Sequence, residues 1–305
     1  MSLSQRLVEG WKEASRYKVY YFMILPYLIG FVTFQLYPIA EAFRLSLYSF
    51  AGGRGGGFFA QPVYVGLRNF ERMFNDSVFI ISLRNTVIYT IGFVCMATAV
   101  ALIMALVLWE NLKGTTFFRT AYFLPFATSS IIVSIVWKNM LQPMGVVNFI
   151  LNQLGLPSLP WLTNGDLALF AVMMVSVWQT FGYYAVILLA GLQAMPKDFY
   201  EAAKVDGAGT FATLRYITLP LLKPMLFVVI FLATISGFQV YDQIYGLTGG
   251  GPGYATMTLT YYLYWKGFEN FELGLADAVG IFVFFVSLGL ALIQRKALEA
   301  GKSYV

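Results

Sequence analysis

The sequence predicts an all-α membrane protein with six transmembrane helices. Of its 305 residues 59% are hydrophobic and 18% aromatic, while only 11% are charged, against roughly a quarter in a soluble domain. Six stretches contain no Asp, Glu, Lys or Arg: 19–40, 85–109, 120–137, 167–196, 224–241 and 278–294. Each approaches the ~20 residues that cross a bilayer as a helix, the shortest needing a residue or two more. Helix is the only form open to them, because lipid offers no partner to an unpaired backbone group. Length alone would fit two soluble domains; the uncharged runs overrule it.

In chain order, residues 1–18 carry Leu7, Val8, Trp11 and Ala14 on one face among Arg6, Lys12, Arg16 and Lys18. They form either a short helix on the membrane surface or a solvated tail. The run 19–40 holds 22 residues and includes Tyr37-Pro38-Ile39. It is longer than the ~7–15 of a signal-peptide core and lacks a small-residue cleavage site, so it reads as a retained span. The first outer loop opens with Gly52-Gly53-Arg54-Gly55-Gly56-Gly57, too flexible to order alone, and continues into an amphipathic stretch at 67–74. The loop 138–166 holds Pro143, Pro157 and Pro160, which argue for breaks rather than one helix. Leu247-Thr248-Gly249-Gly250-Gly251-Pro252-Gly253 is a turn cluster beyond the fifth run. The organisation is one six-span domain over 19–296, with end segments 1–18 and 297–305 and no separate soluble domain.

Basic residues orient the chain. With the N-terminus inside, thirteen Lys and Arg fall on the cytoplasmic side against seven outside, five of those in the long first loop. That bias puts both termini and the segment 194–224 in the cytoplasm.

Several chemistries are missing. There is no histidine and one cysteine, Cys95, in the second run, which removes imidazole relays, disulfides and thiolate zinc sites. Gly301-Lys302-Ser303 mimics the end of a phosphate loop, but the glycine required five positions earlier is Lys296. The acidic residues nearest membrane depth, Glu41, Asp166, Asp242 and Asp277, stand at span ends. An ion-coupled carrier needs intramembrane ionisable groups, and a membrane enzyme needs a clustered acid, base or metal set. Neither pattern is present, so no catalytic residue, cofactor, metal or nucleic-acid partner is expected. Energy must reach this chain from outside.

The segment between the fourth and fifth runs has a mechanical logic. Pro196 and Asp198 suit the first turn of a helix, with Phe199, Ala202 and Ala203 on one face. Small Ala202 and Ala203 would let another protein approach, and Glu201 would offer it a carboxylate. Gly207, after Asp206, can supply the left-handed turn that ends the helix. A second turn at 210–216 leads through Leu219-Pro220 into the fifth span, so a push on the loop can move that span.

The spacing Glu201-Ala202-Ala203, three residues, Gly207, nine residues, Ile217, one residue, Leu219-Pro220 resembles the coupling loop of bacterial ABC-importer permeases, which docks into a partner ATPase. The stretch 191–224 is similar to the carbohydrate-uptake type, specifically a maltose- or glycerol-phosphate-type subunit. Asn85-Thr86, Phe123-Leu124-Pro125 and Asp242-Gln243-Ile244-Tyr245-Gly246-Leu247-Thr248-Gly249-Gly250-Gly251-Pro252 agree. The resemblance implies the type I ABC importer transmembrane fold in a bacterial membrane, a second homologous permease subunit, an ATPase dimer and an extracytoplasmic solute-binding protein. It also implies that Asp206, Gly207, Ile217, Leu219 and Pro220 belong to the coupling element.

Polar residues within apolar spans should face a cavity or a neighbouring helix. Ser176, Gln179, Thr180 and Tyr183 share one helical face; Ser236, Gln239 and Gln243 repeat the spacing on the fifth span, and Phe126, Ser130 and Ser134 follow steps of four on the third. Hydroxyls, amides and flat rings suit a neutral sugar. In maltose-type relatives the sugar contacts fall on these three spans, which aligns Phe126, Ser130, Ser176, Thr180, Tyr183, Ser236 and Gln239 with them. The competing reading is that these residues hold helices together.

Overall fold

A computed structural model describes residues 17–50, 62–109 and 114–302. Nearly all of the segment 1–18, the glycine run at 52–57 and the last three residues of the tail lie outside that range.

Helix α1 (Lys18–Leu45) is followed by a two-stranded antiparallel ribbon, β1 (Tyr48–Phe50) and β2 (Pro62–Tyr64), with Tyr48 opposite Tyr64. The amphipathic stretch forms α2 (Arg68–Asn75) and leads into α3 (Ser77–Trp109). Next come α4 (Thr115–Ala127), α5 (Ser130–Met140) and the short α6 (Val146–Gln153), then α7 (Gly165–Gln193) and α8 (Asp198–Val205). The fifth span, α9 (Thr210–Phe238), is one helix of 29 residues, with a widened turn at Leu214–Thr218. Two short helices, α10 (Asp242–Leu247) and α11 (Leu259–Tyr264), precede α12 (Leu273–Lys302).

Among the described residues five helices are long and apolar enough to cross a membrane, or six if the bent pair α4–α5, which covers the third predicted span, is counted as one. Residues 120–137 were expected as one helix; instead the chain bends by 97° between α4 and α5. Pro125 cannot donate the amide hydrogen bond that would continue the ladder, and Thr128 turns extended, with φ −88° and ψ 146°. The helices also outrun the uncharged stretches. Glu41 lies near the end of α1, where it pairs with Arg44, and Asp277 lies within the first turns of α12.

Helices α3 and α7 pack along each other at the centre, with α9 and α4 against them. Ala97, Ala101 and Ala105 are fully buried, and their steps of four keep one side of α3 thin enough for a close neighbour. Gly182 on α7 does the same against α4: a Cβ there would stand 1.9 Å from the Tyr122 carbonyl oxygen. Asn164 caps α7, its side chain accepting from the amides of Asp166 and Leu167. Within this chain α7 is 61% buried along its apolar window, whereas α1 is 0% buried.

Side-chain hooks fix the end of the molecule that holds the ribbon, α2, α10 and α11. Buried Asn85 donates to the carbonyls of Tyr254 (2.9 Å) and Met257 (3.0 Å), and Thr86 accepts from the Leu259 amide. Asn69 donates to the carbonyls of Ser46 and Tyr48. In the predicted break region, Asn148 donates to the Gln142, Pro143 and Leu159 carbonyls and accepts from the Leu159 amide and the Trp161 indole. Asp76 caps α3 through the Val78 amide, accepts from the Tyr262 hydroxyl at 2.7 Å and pairs with Lys266 at 3.0 Å. Burial alone would push its carboxyl up. The phenol, the ammonium and the amide outweigh that and hold it below its ordinary value.

Candidate functional site

Two sets of residues were singled out by sequence, and α9 connects them. At one end α8 starts at Asp198, so Pro196 precedes the helix instead of opening it. The helix ends in paired reverse bonds: Ala208 N–H to the Ala203 carbonyl (2.9 Å) and Gly207 N–H to that of Lys204 (3.2 Å). This is the Schellman arrangement, which needs a left-handed residue at Gly207, and φ there is +75°. A Cβ on Gly207 would meet nothing within 4 Å, so the constraint is backbone conformation alone.

The expected outward face of α8 is split. Phe199, Glu201, Ala202 and Asp206 are exposed, but Ala203 is buried. Ala203 follows Tyr200 by three residues and shares its inward side. Tyr200, which the sequence reading passed over, ties the loop to the bundle: its hydroxyl donates to Met195 Sδ (3.1 Å) and to Thr218 Oγ1 (3.4 Å). Its ring lies 4.9 Å from that of Trp109, at the end of α3. Ile217 and Leu219 are half-buried and Pro220 is exposed, all on the opening turns of α9. Tyr200 thus ties α8 to α3 and to the opening turns of α9 across the Gly207 turn.

The second set divides by exposure. Ser176 and Gln179 are buried and engaged. Ser176 Oγ accepts from the Tyr89 hydroxyl (2.7 Å) and donates to the Val172 carbonyl. Gln179 Nε2 donates to the Thr128 carbonyl and to Ser130 Oγ, and its Oε1 accepts from Gln243, each at 3.1 Å. The Thr128 carbonyl is one that the bend between α4 and α5 removes from the helical ladder, so Gln179 satisfies the break. Thr180 bonds the Ser176 carbonyl. Ser134, on the same stripe as Ser130, is fully buried.

The other positions are more open. Phe126 is exposed and Tyr183 half-buried, their rings stacked at 4.3 Å and 7°. Ser236 and Gln239 are exposed, with Ser236 near the Tyr184 side chain. The expected continuous face Ser236, Gln239, Gln243 does not exist. α9 stops at Phe238, Gln239 caps it, and the chain breaks at Tyr241 (φ −137°, ψ −58°) before Gln243 enters α10. The arrangement offers rings, an amide and hydroxyls, and no nucleophile–base pair. Among the described residues no group of His, Cys, Asp and Glu could hold a metal.

Residues 97–300 match the family described as binding-protein-dependent transport system inner membrane component. The chain is 38% identical over 280 residues to the trehalose/maltose transport system permease protein MalF of Thermococcus litoralis, covering 92% of this chain and 93% of that one. Its fold is similar to that of a bacterial ABC transporter involved in the import of the acidic polysaccharide alginate, with a TM-score of 0.82, 25% identity and coverage of 96% and 99%. The bacterial alginate ABC transporter in complex with alginate pentasaccharide-bound periplasmic protein gives a TM-score of 0.80, 25% identity and coverage of 93% and 95%.

Proposed function

This chain belongs to the family of binding-protein-dependent transport system inner membrane components, and from that premise we propose that it is the permease subunit of an ATP-driven sugar importer. It forms half of a translocation path with a second, homologous permease subunit. An extracytoplasmic binding protein delivers the sugar, and an ATPase dimer docks from the cytoplasm against residues 201–220. ATP is hydrolysed on those separate subunits. Both termini are cytoplasmic, and α10 and α11 face outward.

The observation that carries this reading is the continuity of the coupling segment with α9. The 29 residues from Thr210 to Phe238 extend about 43 Å at 1.5 Å per residue, from the Gly207 turn to exposed Gln239. A displacement of the loop is therefore carried along the span, with the widened turn at Leu214–Thr218 and Pro224 as the places where the helix can bend. The open flank of α1 supports the partner reading: among the described residues no position in its apolar stretch is fully buried, although its last turns meet α12 through Phe43, and the rest of that flank is covered by another subunit or by lipid. Phe126, Thr180, Tyr183, Ser236 and Gln239 line the path, with Ser176, Gln179 and Ser130 bracing it from behind.

Purifying the assembled importer with its binding protein and identifying the co-purified ligand by mass spectrometry tests the proposal. A carbohydrate that stimulates ATP hydrolysis only in the presence of this chain supports it. An amino acid, a metal ion or no binding protein at all contradicts it.

A further inference from the structure

The C-terminal end of α1, the turn after it, the head of α2 and α12 enclose a crevice of about 680 Å³. Phe43, Leu47, Leu67, Phe70, Phe282 and Val286 line it, and Arg44 is the one charged residue among its walls. Its polarity changes with depth. Glu272, one residue ahead of α12, pairs with Arg72 and Lys266 and so marks the aqueous level. From Leu273, Phe282 and Val286 stand about 14 and 20 Å along the helix at 1.5 Å per residue, and the hydrocarbon of one leaflet is about 15 Å deep. Arg44 and Leu47 belong to the shallow end, because a Cβ on Gly274 would stand 1.9 Å from the Tyr48 carbonyl oxygen. Glu41 orients the Arg44 guanidinium, accepting from Nε at 2.9 Å and from Nη2. A guanidinium has five N–H groups, so donors remain for another acceptor. Arg68, exposed and next to Leu67, forms no ion pair among the described residues.

We propose that this crevice is a phospholipid site, with one acyl chain lying along α12 between α1 and α2 and the phosphate held by Arg44 and Arg68. Such a site is independent of what the importer carries. A guanidinium grips a phosphate through paired N–H bonds, and apolar side chains at hydrocarbon depth accept the chain. A water-soluble ligand would have to pass below the headgroups to reach Phe282 and Val286. A peptide would bring backbone groups that these apolar walls cannot pair. The seated chain also ties α1 to the bundle, since among the described residues the apolar stretch of α1 has no fully buried position. The lipid is then a packing element at the junction of α1, α2 and α12.

The test places the complete importer in nanodiscs of phosphatidylethanolamine and phosphatidylglycerol. A trace of the phosphatidylglycerol carries a photoreactive diazirine midway along one acyl chain, and adducts are mapped by peptide mass spectrometry. Residues 281–286 should be labelled above every other stretch of α12. Arg44→Gln should lower that labelling about five-fold, the loss of one charge-assisted contact, and Arg44→Lys should restore part of it. Val286→Trp, which fills the slot, should abolish it and leave labelling elsewhere unchanged. Diacylglycerol bearing the same diazirine should label 281–286 no more than the rest of α12. If Val286→Trp fails to assemble, Arg44→Gln and the diacylglycerol comparison decide. Labelling at 281–286 equal to the rest of α12, equal labelling by the two probes, or no response to Arg44→Gln overturns the site. So does a crevice without adducts, the result expected if the partner permease or residues 51–61 fill it.

Discussion

The two ends of α9 are built by different rules. At the coupling end the turn is local, and one tertiary contact, Tyr200 on Trp109, seats it. The Gly207 turn is closed by bonds that span three and five residues, and the helices on either side follow from Asp198 and Thr210 in sequence order. At the other end the determinants are distant. Asn85 holds carbonyls 169 and 172 residues away, and Asp76 meets a hydroxyl 186 residues away. A segment shaped by its own turns can be altered without unfolding the bundle, whereas a segment shaped by buried hooks fails with them. Coupling and folding should therefore separate cleanly by position.

The largest effect should come from Asn85→Ala. It strands two carbonyls, one of them buried, and leaving each without a donor costs roughly 1–3 kcal/mol. Stability in detergent should fall by about 2–4 kcal/mol, read as a lower thermal midpoint of the purified chain. A wild-type midpoint would break the contrast.

Gly207→Val should act in the opposite manner. A β-branched residue at φ +75° is strained, yet the site is open. Uptake should fall about ten-fold or more while the thermal midpoint drops less than for Asn85→Ala, since the open site adds no clash and the left-handed backbone costs a side chain about 1–2 kcal/mol. Gly209→Ala sharpens the point: that glycine has φ −73° and equal space, so transport should persist.

A smaller effect belongs to Asp76→Asn, which removes the charge from a pair whose lysine side chain is 14% exposed. The loss should be about 1 kcal/mol in midpoint experiments. Acid should reproduce it. A carboxyl held below its ordinary value of 3.8 contributes fully above that value and loses its contribution as pH falls through the lowered one. Stability of the variant should accordingly be flatter than wild type below pH 3.8.

The mildest change is Tyr183→Ala. It removes one ring from the Phe126 stack and should lower uptake several-fold and shift sugar preference, as befits a contact worth ~1 kcal/mol. Failure to assemble with the partner permease would make Tyr183 a helix contact instead of a path residue.

The same division governs what the sequence discloses. Uncharged runs place five long helices, because composition and length alone decide membrane insertion. Pro125 lies inside the third run, but its bend depends on Gln179, 51 residues from Thr128, and no local signal names that donor. Gly207 is legible because its turn closes within five residues. Ala203 is misread outward because its side is set by Tyr200 docking on Trp109, a tertiary contact. The polar stripe on α7 is visible from its spacing. Which members face a cavity is not, since Ser176 and Gln179 look like Thr180 until Tyr89 and Gln243 are in place.

The central claim is that residues 201–220 receive the ATPase. It is tested most directly by placing a photo-crosslinking residue at exposed Lys204 and, as the opposite-end control, at fully exposed Met144 in the assembled importer. The account predicts an adduct between position 204 and the ATPase, sensitive to ATP, and none from position 144. An ATPase adduct from position 144, or none from 204 in an importer that hydrolyses ATP, would contradict it.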